Sequence, residues 1–478
     1  MFVPDIIHED VINLDVDKIN FDDKEAMKEL ILQLLSTIEQ LAQSNQELRK
    51  DNQQLKDEIN RLKGEKSRPK ILPNNPEYQA NAPKEKPKKW HKDSKKQKIK
   101  IDRTEYVRID KSILPPDAKH NGYRRVIKQN IKFETDNVEY WLERYYSPSL
   151  KKTYEAELAE SLQNTEFGSH LKAFIAYLYY AGRVTENRIY KILEEIGIII
   201  SEGEISNILT KEKSNAYAME KQAIFETGVN RADYLNIDET GARHKGNNHY
   251  LHVVCNKFFS AFFIRQTKGS NTIKHFFGLN DEEQIDLPII SDDAGQYIDV
   301  SSHHALCWIH EIRHYKKMNP FLIHHKSVLN MFLAELWKFY ELLTQYKDSP
   351  NKIIRIYVVE RFDSIFSTVT GYGTLDDRIT KTKKKKEELL LVLDYPNVPL
   401  HNNLAEIAVR EGVIKRKISY GTRSELGKLA WENMLSIIDT CRKLGVSFYK
   451  YLYDIFSDSY SMPRLSDLIL MASKSTDY

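Results

Sequence analysis

The sequence has few cysteines and no long apolar segment. Its three cysteines, Cys255, Cys307 and Cys441, lie far apart and form no CxxC pair. This spacing argues against a disulfide framework and suits a reducing compartment. No apolar run approaches the roughly 20 residues that a membrane-spanning helix needs, and the start, Met-Phe-Val-Pro-Asp, lacks the cationic segment of a secretory signal. We therefore expect a cytoplasmic protein with no membrane partner.

The positive charge is concentrated in one short tract. The formal net charge is +3, but nine lysines lie between Lys84 and Lys100 against only Glu85 and Asp93, which leaves about −4 on the rest of the chain. Such a tract is typical of a solvated linker and also of polyanion contact. The lysines that we single out for DNA contact are Lys88, Lys89, Lys95 and Lys96.

A seven-residue repeat runs through residues 24–63. Leucines at 34, 41, 48, 55 and 62 occupy the d positions, and Ile31, Ile38 and Ile59 alternate with two asparagines at the a positions. This pattern predicts a coiled coil, and asparagine at a favours two strands in a fixed register. Homodimerisation through 24–63 is the expectation, and an amphipathic helix packed on its own domain is the alternative.

Two acidic motifs follow predicted strands. Asp238 follows the apolar run 233–237, and Asp292 and Asp293 follow the run 287–291. In an α/β sheet the carboxyl ends of strands carry the sites, so these acids can meet in one pocket. Asp292 follows its strand directly and is favoured, with Asp293 as the alternate. Surface turns are the competing interpretation for each acid.

A third acid, Glu406, lies far downstream in a predicted helix. Together with the two aspartates it could hold two hard divalent cations for phosphoryl transfer. Asn403 and Glu406 also have the spacing of a capping box, and the local pattern alone favours that structural role.

Other residues suggest metal or DNA contact. Cys307, His310 and His314 have helical spacing, but three clustered ligands without a partner pair do not make zinc the expectation. Residues 187–209 resemble a helix-turn-helix, for which an ordinary helical hairpin is the alternative. Cations near the acids are candidate phosphate contacts. They are Arg313, Arg410, Lys415, Arg416, Lys417 and Arg423.

Several ordered words in the sequence resemble transposases of the insertion sequence sixty-six family. They are Asp-Glu-Thr-Gly-Ala-Arg at 238–243, Ser-Asp-Asp at 291–293, Cys-Trp-Ile-His-Glu-Ile-Arg at 307–313, His-Asn-Asn-Leu-Ala-Glu at 401–406, Lys-Arg-Lys-Ile-Ser-Tyr-Gly-Thr-Arg-Ser at 415–424 and Thr-Cys-Arg-Lys-Leu-Gly-Val-Ser-Phe-Tyr at 440–449. The set as a whole is specific, although no single word is. One departure is that the family commonly carries a cysteine zinc module before the catalytic domain, and residues 101–146 contain no cysteine.

The resemblance implies a ribonuclease-H-like catalytic domain of the Asp-Asp-Glu type, with Asp238, Asp292 (or Asp293) and Glu406 as metal ligands. The expected cofactor is a pair of Mg²⁺ ions, with Mn²⁺ able to substitute. The multidomain architecture that we predict is an N-terminal segment (1–23), a coiled coil (24–64), a basic linker (65–100), a small, degenerate, zinc-less β module (101–148), a helical DNA-binding candidate (149–228), the α/β catalytic domain (229–412) with a helical insertion at about 315–395, and a helical C-terminal region (413–478).

The function implied is DNA transposition: cleavage at insertion-sequence ends, followed by strand transfer into target DNA. Partners would be both DNAs and a second copy of the chain, at a nucleoid-associated location, and any need for helper proteins is left open. A dimeric DNA-binding regulator without catalysis is the alternative from another class. A decayed copy of the enzyme is a third interpretation, although all three acids are intact.

Overall fold

The computed structural model describes part of residues 23–51, then 100–158 and 166–474, except positions 121, 133 and 321. Two compact units are present, one of 1–49 with 137–478 and one of Lys50–Asp136. Most of the lysine tract, including Lys88, Lys89, Lys95 and Lys96, and the predicted heptads beyond residue 51 lie outside the described residues.

In the smaller unit, the described residues 100–136 contain one 3₁₀ turn, Lys111–Ile113, and no strand. Within the β module that the sequence predicts at 101–148, the alternating segments Val126–Lys128 and, in the larger unit, Val138–Trp141 do not form strands. Val107 is 88% exposed and Trp141 is 87% exposed. Alternating apolar residues make a stable strand only where a second layer covers them. A hairpin follows, β1 (Arg144–Ser147) with β2 (Lys152–Glu155).

Among the described residues from 166 to 230, four helices precede the main sheet. They are α1 (Ser169–Ala176), which continues as a π turn (Tyr177–Ala181), α2 (Glu186–Ile196), α3 (Glu202–Thr210) and α4 (Ser214–Asn230). The two helices predicted within residues 187–209 are present as α2 and α3, joined by a short turn. Gly197 ends α2 at φ +89, a left-handed conformation that suits glycine, and Ser201 caps α3 by accepting a hydrogen bond from the Glu204 amide at 3.1 Å.

The main sheet has five strands, β3 (Leu235–His244), β4 (Asn247–Cys255), β5 (Ser260–Arg265), β6 (Ile289–Ser291) and β7 (His304–Leu306). Their spatial order is β5-β4-β3-β6-β7. The first three strands form an antiparallel meander, whereas β6 and β7 run parallel to β3. A short helix, α5 (Ser270–Lys274), and a 3₁₀ turn (His275–Phe277) connect β5 to β6.

Strand β3 is longer than the sequence predicts. We expected a strand ending at residue 237, but β3 continues to His244, where Lys245 and Gly246 make a turn with positive φ into β4. Pairing with β4 holds the extended half in place, whereas pairing with β6 stops at Asn236–Ile290. Asp238 therefore lies within a strand, but just past the end of its parallel neighbour.

A second core forms from helices between β7 and residue 393. The helices are α6 (Trp308–Lys316), α7 (Ile323–Asp348), α8 (Lys352–Ile365), α9 (Gly373–Lys383) and α10 (Lys386–Leu389), followed by a 3₁₀ turn (Leu391–Leu393). Trp308, Phe339 and Phe362 are fully buried there. Trp308 also donates its indole N–H to the Leu389 carbonyl at 2.8 Å, which satisfies the polar end of this large buried ring.

The remaining helices are α11 (Asn403–Ser419), α12 (Glu425–Leu444), α13 (Phe448–Phe456) and α14 (Leu465–Lys474). Helix α12 covers the edge strand β5, whose backbone amides would otherwise be unpaired. Ser436 and Glu432 accept from the amides of Phe262 and Ile264 at 3.0 and 2.9 Å. Side chains of one helix thus close the edge of the sheet.

The described residues between 24 and 51 are helical. Ser36 accepts a hydrogen bond from the Gly373 amide at 3.1 Å, so this helical segment contacts the start of α9. In the heptad frame Ser36 is at position f, away from the a and d positions. Ile38 and Leu48, at a and d, are 61% and 58% exposed. Contact with the chain's own domain therefore leaves these two apolar side chains exposed.

Helix α11 packs closely on the sheet at Gly412, and this contact gives a stability prediction. A Cβ at Gly412 would lie 2.8 Å from Leu251 Cδ2 and 2.9 Å from Thr240 Cγ2, whereas one at exposed Gly203 in α3 would have 3.8 Å to its nearest neighbour. Gly412→Ala should lower the free energy of unfolding by about 1–3 kcal/mol through overpacking. Gly203→Ala should leave it unchanged or slightly higher.

Urea denaturation followed by circular dichroism measures both variants, and the midpoint should fall only for Gly412→Ala. Equal midpoints for the two variants would contradict the close packing of α11 on β3.

Candidate active site

Two of the predicted acids lie side by side at one end of the sheet. Strands β3 and β6 pair in parallel with Leu235 opposite Ile289. Asp238 is three residues beyond the first of these and Asp292 is three residues beyond the second, so the same register brings them level. Their charges interact, because the Asp292 carboxylate is one cause of a raised Asp238 pKa.

The amino end of α11 is fixed beside Asp238 by Asn402, which is 1% exposed. Its amide donates to the Ile237 carbonyl at 2.8 Å, and its oxygen accepts from the Asn236 side chain at 2.8 Å. Farther along α11, Arg416 donates to the Gly241 carbonyl. The helix is thus bound to β3 near both of its ends.

Periodicity puts Glu406 on the same side of the sheet as Asp238. Gly412 faces Thr240, and Asp238 is two residues before Thr240 on the same face of β3. Going back six residues along α11 covers about 9 Å, and going back two along β3 covers about 7 Å. Both paths lead to the same end of the contact. The Glu406 carboxylate accordingly contributes to the raised pKa of Asp238.

Glu406 does not form the capping box that its spacing suggests. The N-cap is Asn402 rather than Asn403, and no side-chain cap hydrogen bond is made there. Glu406 is therefore the fourth residue of the helix, beyond the position that can reach back to the cap. Its Oε1 is buried and finds no hydrogen-bond donor among the described residues, while Oε2 lies 3.7 Å from Arg313 Nη2.

Burial and mutual repulsion perturb the aspartates. The pKa of Asp238 is raised to about 7, chiefly by burial. The neighbouring carboxylates of Glu239, Asp292 and Glu406 contribute to this shift, and the Glu239 amide opposes it by donating at 2.8 Å. Burial also raises the pKa of Asp292, which accepts from the Ala294 amide at 3.2 Å. Carboxylates crowded in a low-dielectric pocket favour a bound cation.

Asp293 has a different environment from Asp292. Its side chain is 44% exposed and forms an ion pair with Lys385. Asp292 is half-buried, and its charge acts on Asp238. This arrangement favours Asp292 as the inward carboxylate, although which of the two would bind a metal stays a prediction.

The sequence interpretation missed Glu239. Its carboxylate accepts from the Tyr297 hydroxyl and from Gln296 Nε2, the latter at 2.6 Å, and Tyr297 is fully buried. Its charge raises the pKa of both Asp238 and Asp292. The only signal in the sequence was its position beside Asp238 in the acidic motif.

Two of the three residues with helical spacing in α6 lie together with a different third residue. In the described part of the chain, Cys307 Sγ, a ring nitrogen of His310 and a carboxylate oxygen of Glu406 all lie within 4.8 Å of one another. His314 is not in this group. The oxygens of Asp238, Asp292 and Glu406 form no such single-ion group. Two ions about 3.5–4 Å apart, each with ligands at about 2.1 Å, can connect more widely spaced acids.

The predicted basic residues divide into two classes. Lys415 donates to the Tyr179 hydroxyl at 2.9 Å, burial lowers its pKa to about 8, and Arg416 is bound to β3, so both are engaged within the fold. The second class is exposed at the surface and consists of Arg313, Arg410, Lys417 and Arg423.

The raised pKa of Asp238 predicts a pH-dependent stability. Its ordinary pKa is 3.8 and its folded pKa is about 7, so the folded chain binds this proton more tightly and loses stability as pH rises between those values. In chelator, Asp238→Asn should therefore be more stable than the parent at pH 8, by up to about 4 kcal/mol. The gain should shrink as pH falls from 7 toward 4.

Thermal denaturation across this pH range tests the prediction. Asp293→Asn is the matched control and should show no such pH-dependent gain, because Asp293 is partly exposed and paired with Lys385. A gain for Asp238→Asn that is constant with pH would count against the buried, repelled carboxylate.

Comparison with known proteins identifies the chain. It is 40% identical over 169 residues to the Uncharacterized protein y4jO of Sinorhizobium fredii, a match that covers 35% of this chain. The chain spans about half, 52%, of the length of that curated relative. No helix in the described residues is both long and apolar enough to cross a membrane. The model of the transposase IS66 family matches residues 164–429, which is more than half of the sequence. The chain therefore belongs to the transposase IS66 family.

Proposed function

We propose that this protein is a metal-dependent DNA transposase of the Asp-Asp-Glu type, which cleaves at element ends and joins them to target DNA. The observation that carries the proposal is that the charges of Asp292 and Glu406 both act on the carboxyl group of Asp238 and raise its pKa. The strand order, an antiparallel meander followed by two parallel strands, supports a ribonuclease-H-like domain.

The donors at this site fit hard divalent cations. All three are carboxylates, and one oxygen of Glu406 is buried without a donor among the described residues. Burial, and to a smaller extent the charges of its neighbours, raises the pKa of Asp238. Two Mg²⁺ ions bound by Asp238, Asp292 and Glu406 would supply Lewis-acid activation of water and of the phosphodiester, and Mn²⁺ could substitute.

The chain's own residues orient this pocket. Asn402 fixes the first turn of α11 against β3, so Glu406 cannot move independently of Asp238. Arg313 is 43% exposed and lies 3.7 Å from the Glu406 carboxylate, where it can contact a phosphate entering the pocket. Arg410, Lys417 and Arg423 extend the positive surface, and α2–α3 is the candidate reader of element ends.

Substitution of the three acids tests the catalytic proposal. Asp238→Asn, Asp292→Asn and Glu406→Gln should each reduce nicking and joining of labelled element ends by about a thousandfold or more, because a bound metal contributes several kcal/mol to the transition state. Binding of the ends should persist. Asp293→Asn is the control and should retain most activity.

Incubation with Mg²⁺ or with chelator, scored on sequencing gels, measures these reactions. The non-catalytic DNA-binding regulator would be favoured instead if the parent chain bound the ends without metal and did not cleave them, and if Asp238→Asn left that binding unchanged.

We also propose that residues 24–63 pair two copies of the chain, which would bring two DNA ends together. Ile38 and Leu48 of the a and d positions are exposed, while Ser36 at position f contacts Gly373. Leu48→Glu should therefore convert a dimer to a monomer, because a charge at d is buried without a partner in a coiled coil. Glu47→Gln, at outward position c, should leave the dimer intact.

Light scattering after size-exclusion chromatography gives the mass of each variant. If the parent chain runs as a monomer, or Leu48→Glu as a dimer, pairing through this segment is excluded.

A further inference from the structure

A second ligand set lies beside the proposed magnesium pocket and shares one residue with it. Cys307 is the N-cap of α6, His310 is in the first turn of α6, and Glu406 is in the first turn of α11. Their sulfur, nitrogen and oxygen atoms lie within 4.8 Å of one another. His310 Nδ1 and Glu406 Oε1 are 3.6 Å apart, and both are buried without a hydrogen bond to any described residue. Two unsatisfied buried polar atoms that face each other indicate a missing third group.

Backbone contacts hold this set in position. The Asn402 amide donates to Cys307 Sγ at 3.3 Å, and the Trp308 amide donates to the Leu400 carbonyl at 3.0 Å, so the starts of α6 and α11 are joined. The Cys307 amide in turn donates to the Ser291 carbonyl at the end of β6 at 3.0 Å. The three side chains therefore extend from a rigid junction of a strand and two helices.

Backbone amides surround the buried Cys307 sulfur. Burial, together with the charge of Glu406, raises the pKa of this thiol, and hydrogen bonds from the backbone amides of His310, Asn402 and Ile309 oppose the shift. Amide donors around a sulfur stabilise its metal-bound form and orient it. Metal binding would release the thiol proton to solvent.

We propose that Cys307, His310 and Glu406 bind a soft divalent cation of the Zn²⁺ type, and that this ion competes with the magnesium pocket for Glu406. One thiolate, one imidazole and one carboxylate leave a fourth tetrahedral position for water, as in open zinc sites. A thiolate disfavours Mg²⁺, which requires oxygen ligands in octahedral geometry. The site therefore selects against the proposed cofactor.

The regulatory consequence rests on the proposed function. A Glu406 carboxylate bound to Zn²⁺ with Cys307 and His310 is withdrawn from Asp238 and Asp292, so zinc would act as an inhibitor that excess Mg²⁺ does not readily displace. The binding itself is independent of catalysis and is tested separately.

Cobalt spectroscopy on the full chain tests the site. Co²⁺ bound to a thiolate gives a near-ultraviolet charge-transfer absorption, which should saturate at one equivalent and be removed by Zn²⁺. The band should disappear in Cys307→Ser. In His310→Ala the Zn²⁺ Kd, measured by competition with a chromogenic chelator, should rise by more than about a hundredfold. Removing a residue that only supports a metal ligand would raise the Kd by roughly 10–100-fold.

Two matched controls remove the same chemical groups elsewhere. Cys441→Ser eliminates another buried thiol, and His314→Ala eliminates the histidine one turn farther along α6. Both variants should keep the band and the parent Kd. A band that survives Cys307→Ser, or no band in the folded parent chain, would overturn the proposal, and His310→Ala decides the matter if Cys307→Ser does not fold.

The failure of this inference and that of the proposed function can be told apart. Magnesium-dependent cleavage by a chain that gives no cobalt band would refute the soft-metal site alone. A cobalt band from a chain without cleavage would support the site and contradict the transposase proposal. Cleavage that is inhibited by Zn²⁺ in the parent and in His314→Ala would support both.

Discussion

The buried side chain of Asn402 is the constraint on which the site depends. It bonds Asn236 and the Ile237 carbonyl of β3, and its backbone amide bonds the sulfur of Cys307 at the start of α6. Three elements distant in sequence are therefore joined at one residue. Because a buried amide left without partners costs about 1–3 kcal/mol, the chain has little freedom to separate these elements. Glu406 lies one helical turn away and is positioned by the same bonds.

The junction brings together charges that oppose one another. Asp238, Glu239, Asp292 and Glu406 interact in a partly buried pocket, and burial with mutual repulsion raises the pKa of Asp238 to about 7. Such a cluster destabilises the chain without a cation and becomes favourable once cations bind. The sheet beneath tolerates this cost because it is well supported, with edge strand β5 closed by α12. Stability elsewhere in the fold thus permits an electrostatically strained site.

Much of this arrangement could be predicted from local patterns. Residues 187–209 were predicted to contain two helices and form α2 and α3. The apolar runs before Asp238 and Asp292 were predicted to be strands and lie in β3 and β6. The extent of β3 could not be predicted, because it depends on pairing with β4 rather than on its own residues. Val126–Lys128 failed as a strand, since alternation does not reveal whether a covering layer exists.

The contacts of Glu406 show the same limit. The spacing of Glu406 from Asn403 matches a capping box, but the N-cap of α11 is Asn402, one residue earlier. A hydrogen bond to β3 fixes Asn402 in that position. The third residue beside Cys307 and His310 is Glu406 and not His314. This too depends on α11, which lies nearly a hundred residues downstream. Resemblance to a family named the acids as candidates, whereas their mutual geometry required the fold.

Anomalous diffraction from crystals of the full chain soaked in Mn²⁺ tests the central claim most directly. The account predicts two manganese peaks about 3.5–4 Å apart, ligated by Asp238, Asp292 and Glu406. Manganese absent from that pocket at saturating concentration, or bound there by Asp293 with Asp292 turned away, would contradict the convergence of these three carboxylates on a shared metal pair.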